Sequence, residues 1–593
     1  MGNKHEIAIK IGGEAGFGIK TAGLSLARTL FNKGFGVFGY SEYPSLIRGG
    51  HNTYQINVAN RKIMSATVNI DILVALNQET IELHAAELGK NSVIIHDGLK
   101  TKSDVKNIDI PLMELASKTG NELARNTVSL GAVAYLIGFE ESAMNEELTE
   151  KFGTKGKKVL NMNKEAVRLG YNFIKNNYSS LISHYSLLSG KTKISGDKKV
   201  EEYKEASANT HLMTANEAVA DGMIQAGCKL YSAYPMTPAT SIMHILAAKQ
   251  REYNLVVHQA EDEISAIGVA LGAATTGVRS ATGTSGGGFA LMTENLGLAA
   301  MTETPVVIIN SQRPAPATGL PTWTEQGDLQ FMIRAAHGEF PRIVIAPGDA
   351  QEAYYMVQDG FNLAEKFQVP VIFLMDKIIS ESDFSLYDIE TNKIQIKRKG
   401  FIDDNELERI ENYKRYELTS TGISRRAVPC QVNGTHIINS DEHDEYGFST
   451  ERSEMRTKMV DKRFKKVKLM ETEIPEPIMY GDVNADLTIV GWGSVKGAVI
   501  DAIEEYKNIK IREYKKKSVN FLHIVYLWPF QSKRVKAVLS GARNILLVEN
   551  NKTGQLGELI RQETGIEIKN KFLKYDGRPF FREEIINKIE AFK

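Results

Sequence analysis

Short apolar runs alternate with amphipathic stretches along most of the chain. Glu6-Ile-Ala-Ile-Lys-Ile11 reads as a strand, followed by the turn Gly12-Gly-Glu-Ala-Gly16-Phe-Gly18. A helix is expected from near Ile19, with Leu24, Ala27, Leu30 and Phe31 at helical spacing. Further strands are predicted at 70–75 and 92–96, a βαβ rhythm that implies a parallel sheet covered by helices. The composition turns polar between Lys175 and Asn209, as an interdomain linker would. A second βα block carries strand candidates at 228–233, 254–258, 305–310 and 342–346. Residues 393–475 are charged and short of apolar runs, which predicts a helix-and-loop connection. The βα pattern then resumes, with a strand at 485–490 and helices at 496–506 and 557–563. The expected architecture is α/β with three parallel-sheet domains at 1–185, 211–392 and 476–593. A linker (186–210) and the charged connection (393–475) join them.

Composition narrows the chemistry. Lys+Arg and Asp+Glu balance at 72 each, so no global field recruits nucleic acid or an anionic membrane. No apolar run approaches the ~18 residues of a membrane-spanning helix. The first ten residues lack the apolar core of a signal peptide, so a cytoplasmic protein is expected. The two cysteines, Cys228 and Cys430, are too few for a disulfide scaffold or for a cysteine-ligated metal cluster built by this chain alone.

Several segments carry candidate chemistry. Tyr234-Pro-Met-Thr-Pro-Ala239 follows an apolar strand, and Pro235 and Pro238 stiffen the turn that presents Thr237 where α/β folds bind ligands. Glu261-Asp-Glu263 opens a nearly uncharged helix over 264–277, expected to be buried all round. Glu261 and Asp262 read as capping charges, and Glu263 as a partly buried acid with a specific partner. Gly283-Thr-Ser-Gly286-Gly-Gly288 suits close backbone approach. Arg313, leaving a buried strand, offers a clamp for a carboxylate or phosphate. The turns at Gly12–Gly18 and Gly491–Gly497 lack nucleotide-binding spacing and read as structural. His443, among acids in Ser440–Glu445, reads as part of a solvated loop rather than a metal site. No metal ligands are assigned.

The motifs at 234–240, 259–268, 284–294 and 318–328, in that order, resemble the alpha subunit of the 2-oxoacid:ferredoxin oxidoreductases. Asp441-Glu-His-Asp-Glu-x-Gly447 fits as well, and the N-terminal block with Arg48-Gly-Gly-His51 looks like that family's gamma subunit fused ahead of alpha. The resemblance implies a gamma-type domain, a thiamine-diphosphate pyrimidine-type domain and a transketolase C-terminal-like domain. It also implies oxidative decarboxylation of a 2-oxoacid, with transfer of the acyl group to coenzyme A and of electrons to ferredoxin. Glu263 matches the glutamate on the aminopyrimidine of thiamine diphosphate, a contact with an acid–base role. Tyr234, Pro235 and Thr237 belong to the cofactor-side motif, and Thr237 and Arg313 match the residues that hold the substrate's 1-carboxylate.

The chain has no Gly-Asp-Gly followed by a suitably spaced Asn for a diphosphate and Mg2+, and Asn550-Asn551 reads as a decoy. The resemblance therefore implies a separate beta subunit that brings the Mg2+ site and a [4Fe-4S] cluster, in an (alpha-beta)2 assembly. The fused layout favours 2-oxoglutarate. Pyruvate or branched-chain specificity, a transketolase-like ketol transferase and a non-catalytic partner subunit remain as alternatives.

Overall fold

In the computed structural model, residues 6–46, 49–101, 105–181, 185, 209–391, 393–508 and 516–592 are described. Arg48 and the linker positions 186–208 lie outside them. The chain divides into two compact units, Met1–Met213 with Ser382–Ile389 and Phe581–Lys593, and Thr214–Glu381 with Glu390–Phe580.

The first unit is built on an eight-stranded sheet. Glu6–Glu14 is its central strand, flanked by Ile70–Ala75 in parallel and His51–Ala59 antiparallel. Leu88–His96 and Lys106–Asp109 continue the parallel half. Gly36–Glu42 and Asp383–Leu386 continue the other half antiparallel. The sheet is thus mixed, because the chain returns from Gly36–Glu42 to His51–Ala59 by a short connection with no crossover helix. Pairing of Glu14 with His51 carries the first strand through Gly12 and Gly13, so the expected glycine turn is shorter than its sequence span. It comprises Ala15–Gly18, with Gly16 and Gly18 at positive φ (93° and 74°), and Gly18 opens the helix Ile19–Asn32. Ile7, Ile9 and Ile11 face that helix and build the core with Leu26, Leu30 and Tyr54.

The second unit holds two sheets. The larger has seven strands, with Cys228–Ala233, Val256–Gln259, Arg279–Thr284, Val306–Gln312, Ile343–Ile345 and Pro370–Asp376 all parallel. Tyr526–Trp528 closes one edge antiparallel. The smaller sheet has five strands around the parallel set Val519–His523, Leu487–Gly491 and Ile545–Glu549. Near-continuous burial of Val306–Gln312 and Pro370–Asp376 is the signature of strands covered on both faces.

Part of the charged connection is buried. Its helix Ser453–Glu473 buries Lys462 and Lys466, and both ammonium groups bond the buried Glu303 carboxylate. Burial alone would raise the Glu303 carboxyl, but Lys462, Lys466 and Arg415 hold it well below the usual carboxylate range. His443 is likewise fully buried, with Nδ1 on Asp444 O, Nε2 on Met301 O and its ring against Tyr416. The expected solvated loop is instead a pinned hairpin, in which Asp444 Oδ1 accepts from the N–H groups of Tyr446 and Phe448.

Candidate active site

The site lies in the second unit, at the carboxyl ends of three parallel strands, where open α/β sheets bind ligands. Cys228–Ala233 runs into the Tyr234–Ala239 turn, Arg279–Thr284 into the glycine turn, and Val306–Gln312 into Arg313. Arg313 Nη1 donates to the Thr237 carbonyl at 2.8 Å, so the two candidates for carboxylate binding are brought together. Met236, between Pro235 and Thr237, accepts from Ser285 Oγ at 2.8 Å, which ties the proline turn to the glycine turn. Tyr234 is 40% exposed and Pro235 is half-buried, so they form the rim.

Glu263 is the first residue of the helix Glu263–Thr275, with Asp262 as N-cap accepting from Ser265 N–H at 2.7 Å. The capping role expected of Asp262 is thereby met, while Glu261 is exposed. Glu263 is 3% exposed, and its Oε1 has no hydrogen-bond partner among the described residues. Burial pushes its carboxyl above the ordinary value; its own backbone N–H opposes that shift, and the Asp262 charge adds to it. An unpaired buried acceptor is expensive unless something outside the chain satisfies it.

The Gly286–Gly288 run explains how the acid fits. A β-carbon at Gly288 would lie 2.4 Å from Glu263 Oε1, and one at Gly286 would lie 2.5 Å from Asp328 Oδ2. Two carboxylates therefore lie against the first turn of the helix Gly286–Met301, whose dipole favours negative charge there. Asp328 and Glu325 lie in the 318–328 motif, where local pattern gives neither acid a role. The signal was the glycine triplet itself, since each missing side chain marks a neighbour that fills its place. Glu325 is pushed up to about 7 by burial and by the charge of Asp328.

The helix Glu263–Thr275 is not buried all round, contrary to the expectation from its uncharged sequence. Ile264 is 49% exposed, and Gly268 and Gly272 meet nothing on their outer side. On Gly286–Met301, Leu291 is 50% exposed and Gly287 is likewise open.

Asn550 and Asn551 hold the loop above the site. Asn550 N–H donates to Gln326 Oε1, Asn551 Nδ2 to Gln326 O, and Gln326 Nε2 to the carbonyl of Trp492 in the second glycine turn. In the first unit, Gly16–Gly18 line a cavity of about 300 Å³ together with Thr21, Ser25, Lys151 and Lys155. Burial brings the Lys151 ammonium down to about 8, against the opposing charge of Glu147. Among the described residues, no group of three or more His, Cys, Asp or Glu is placed to hold a metal ion. No helix there is long and apolar enough to cross a membrane.

Glu263, Thr237 and Arg313 share a parallel-sheet unit that comparison with known proteins identifies as a thiamine-diphosphate-binding domain. Residues 221–462 match the family model for pyruvate flavodoxin/ferredoxin oxidoreductase, thiamine diphosphate-binding, and residues 8–173 match pyruvate ferredoxin/flavodoxin oxidoreductase. The chain is 34% identical to the 2-oxoacid:ferredoxin oxidoreductase alpha subunit of Saccharolobus solfataricus, covering 99% of this chain and 97% of that one. It is 30% identical to the 2-oxoglutarate synthase subunit KorA of Methanothermobacter marburgensis, over 65% of this chain and 99% of that one. Among solved structures, it is similar to the 2-oxoglutarate:ferredoxin oxidoreductase of Magnetococcus marinus, solved with 2-oxoglutarate, coenzyme A and succinyl-CoA bound. That match has a TM-score of 0.87, 32% identity and 99% coverage of both chains. The chain belongs to the alpha subunits of the 2-oxoacid:ferredoxin oxidoreductases, and it is an oxidoreductase.

Proposed function

We propose that this chain supplies the pyrimidine-side half of a thiamine-diphosphate site that a separate beta subunit completes. There it decarboxylates a 2-oxoacid, with 2-oxoglutarate favoured, forms the acyl-coenzyme A and passes electrons to ferredoxin. The observation that carries this reading is the buried, unpartnered Glu263 Oε1 at the edge of an uncovered apolar helix face. The residues fit the cofactor: an acceptor is waiting, and Gly288 leaves the room beside it. Thiamine diphosphate held there would supply the nucleophilic carbon for addition to a 2-oxo carbon. Glu263 holds or releases the proton on the pyrimidine side, a task suited to a carboxyl raised by burial. Arg313 and Thr237 orient the substrate's 1-carboxylate, with Arg313 already fixed by the Thr237 carbonyl. The beta subunit closes over Ile264, Gly268, Gly272 and Leu291 and brings the diphosphate and Mg2+ site and the [4Fe-4S] cluster. In the first unit, Lys151, Lys155 and the Gly16–Gly18 turn suit the phosphates of coenzyme A. The domain organisation 1–185, 211–392 and 476–593 assigns these tasks to gamma-type, pyrimidine-type and transketolase C-terminal-like parts.

The test is Glu263→Gln in the complex co-expressed with its beta subunit. Reduction of a low-potential dye that depends on 2-oxoacid and coenzyme A should fall by about 10²–10⁴-fold, and wild-type turnover would sink the assignment. Rates with pyruvate, 2-oxobutyrate and 2-oxoglutarate identify the substrate.

A further inference from the structure

The main-chain acceptors of the proline turn are each taken by a different group. The Met236 carbonyl accepts from Ala239 N–H at 2.9 Å and closes the turn. The Thr237 carbonyl accepts from Arg313 Nη1 at 2.8 Å, and the Pro238 carbonyl accepts from Asn216 Nδ2 at 2.8 Å. Pro235 and Pro238 have no N–H, so the turn depends on donors from outside it. Asn216 is the second residue of the helix Ala215–Gln225, whose start is fixed by a capping box between Thr214 and Glu217. The asparagine is fully buried. Its Nδ2 also donates to Ser241 Oγ at 2.7 Å, in the helix Thr240–Lys249 that leaves the turn. A carbonyl only accepts, so Pro238 sets which end of the Asn216 amide faces the turn. Thr237 itself is half-buried, and its hydroxyl makes no hydrogen bond among the described residues.

We propose that Asn216 is a positioning residue for the 2-oxoacid: by holding the Pro238 carbonyl, it aims the Thr237 hydroxyl at the 1-carboxylate that Arg313 also holds. The physical reason lies in the rigidity of the peptide planes. The Met236, Thr237 and Pro238 carbonyls belong to three consecutive planes with two soft dihedrals between neighbours, so fixing all three fixes the direction of the Thr237 side chain. Asn216 acts through the turn and not on substrate. Without its bond the carboxylate is held less well in ground and transition states alike, which raises KM and leaves kcat near wild type. This inference rests on the reading of Thr237 and Arg313 as the carboxylate's partners.

The test is steady-state dye reduction by the alpha–beta complex loaded with thiamine diphosphate and Mg2+. Asn216→Asp keeps the shape of the side chain but puts an acceptor against the Pro238 carbonyl. It should raise KM for 2-oxoglutarate about 3–10-fold, the worth of one hydrogen bond, with KM for coenzyme A unchanged. In a Thr237→Val background the same change should add nothing further, because the hydroxyl it aims is gone. A merely structural role predicts effects that multiply in the double variant. Ser241→Ala leaves the bond to Pro238 in place and should keep KM near wild type. Should Asn216→Asp fail to fold, Asn216→Ser, which removes the amide without adding a charge, carries the same expectations. Wild-type KM in the folded Asn216 variant, multiplied effects in the double variant, or an equal rise in Ser241→Ala overturns the proposal. An unchanged KM in Thr237→Val alone instead overturns the parent reading.

Discussion

Replacing Gly288 with alanine tests the geometry that seats Glu263. The added β-carbon would stand 2.1 Å from Thr284 Oγ1 and 2.4 Å from Glu263 Oε1, where real β-carbons do not come within 3.0 Å. The acid must therefore retreat by at least about half an ångström, or the helix start must shift by as much. Crowding of this kind costs about 1–3 kcal/mol, partly offset by the roughly 1 kcal/mol that alanine gains over glycine in a helix. A misplacement of about 1 Å at a reacting group costs about 10²-fold, so a shift of half that size predicts a loss of about tenfold or more in kcat. Gly287 is the neighbour to compare, because nothing lies within 4 Å of its β-position, and Gly287→Ala should leave the stability of the chain unchanged or slightly raised. Dye reduction by the complex reads the first effect and denaturant unfolding of the chain reads the second. Wild-type kcat and stability in Gly288→Ala would refute the argument that the glycine makes room for the acid.

The buried ion cluster yields an asymmetric pair of variants. Glu303→Gln strands Lys462, Lys466 and Arg415 without their anion and should cost about 3–5 kcal/mol in denaturant unfolding. Lys466→Met should be neutral or stabilising, because burial brings Lys466 down to about 7 and Lys462 still matches Glu303. On linkage, Lys466 binds fewer protons folded than unfolded, so wild-type stability should rise between pH 7 and its unfolded value of about 10.4, a slope that Lys466→Met removes. In the first unit, Lys151 loses its charge as pH rises through about 8. KM for coenzyme A should climb above that pH, and Lys151→Met should show the raised value throughout; a wild-type KM in that variant would exclude the cavity as the coenzyme's site.

The large parallel sheet was legible because its strands are buried on both faces and interrupted by glycine and proline at the turns. So were Thr237, Glu263 and Arg313, each at the end of a strand or the start of a helix. What local pattern could not show is which neighbour takes each side. The helix after Glu263 is uncharged over its whole length, yet its Ile264 face stands open in this chain, as hydrophobicity cannot tell a core from an interface. Residues 453–473 are rich in charge, but Lys462 and Lys466 neutralise a glutamate some 160 residues earlier. His443 shows the same limit, since its partner Met301 O comes from another element. Asp328 meets Gly286 and Asn310, both distant in sequence, so local pattern does not reveal its surroundings.

The first unit is closed by pieces made late. Val37 N–H on the strand Gly36–Glu42 finds its partner Ser385 Oγ 348 residues onward, and Glu6 pairs with Arg582, 576 residues away. At about 5–20 residues per second of synthesis, the edge of that strand waits about 20–70 s for its cover. During that interval a nascent chain bears a strand of low charge with one edge unpaired, Gly-Val-Phe-Gly-Tyr-Ser-Glu, of the kind that recruits other strands. That edge is an aggregation liability while the chain is being made, and a fragment ending near residue 213 would keep it bare.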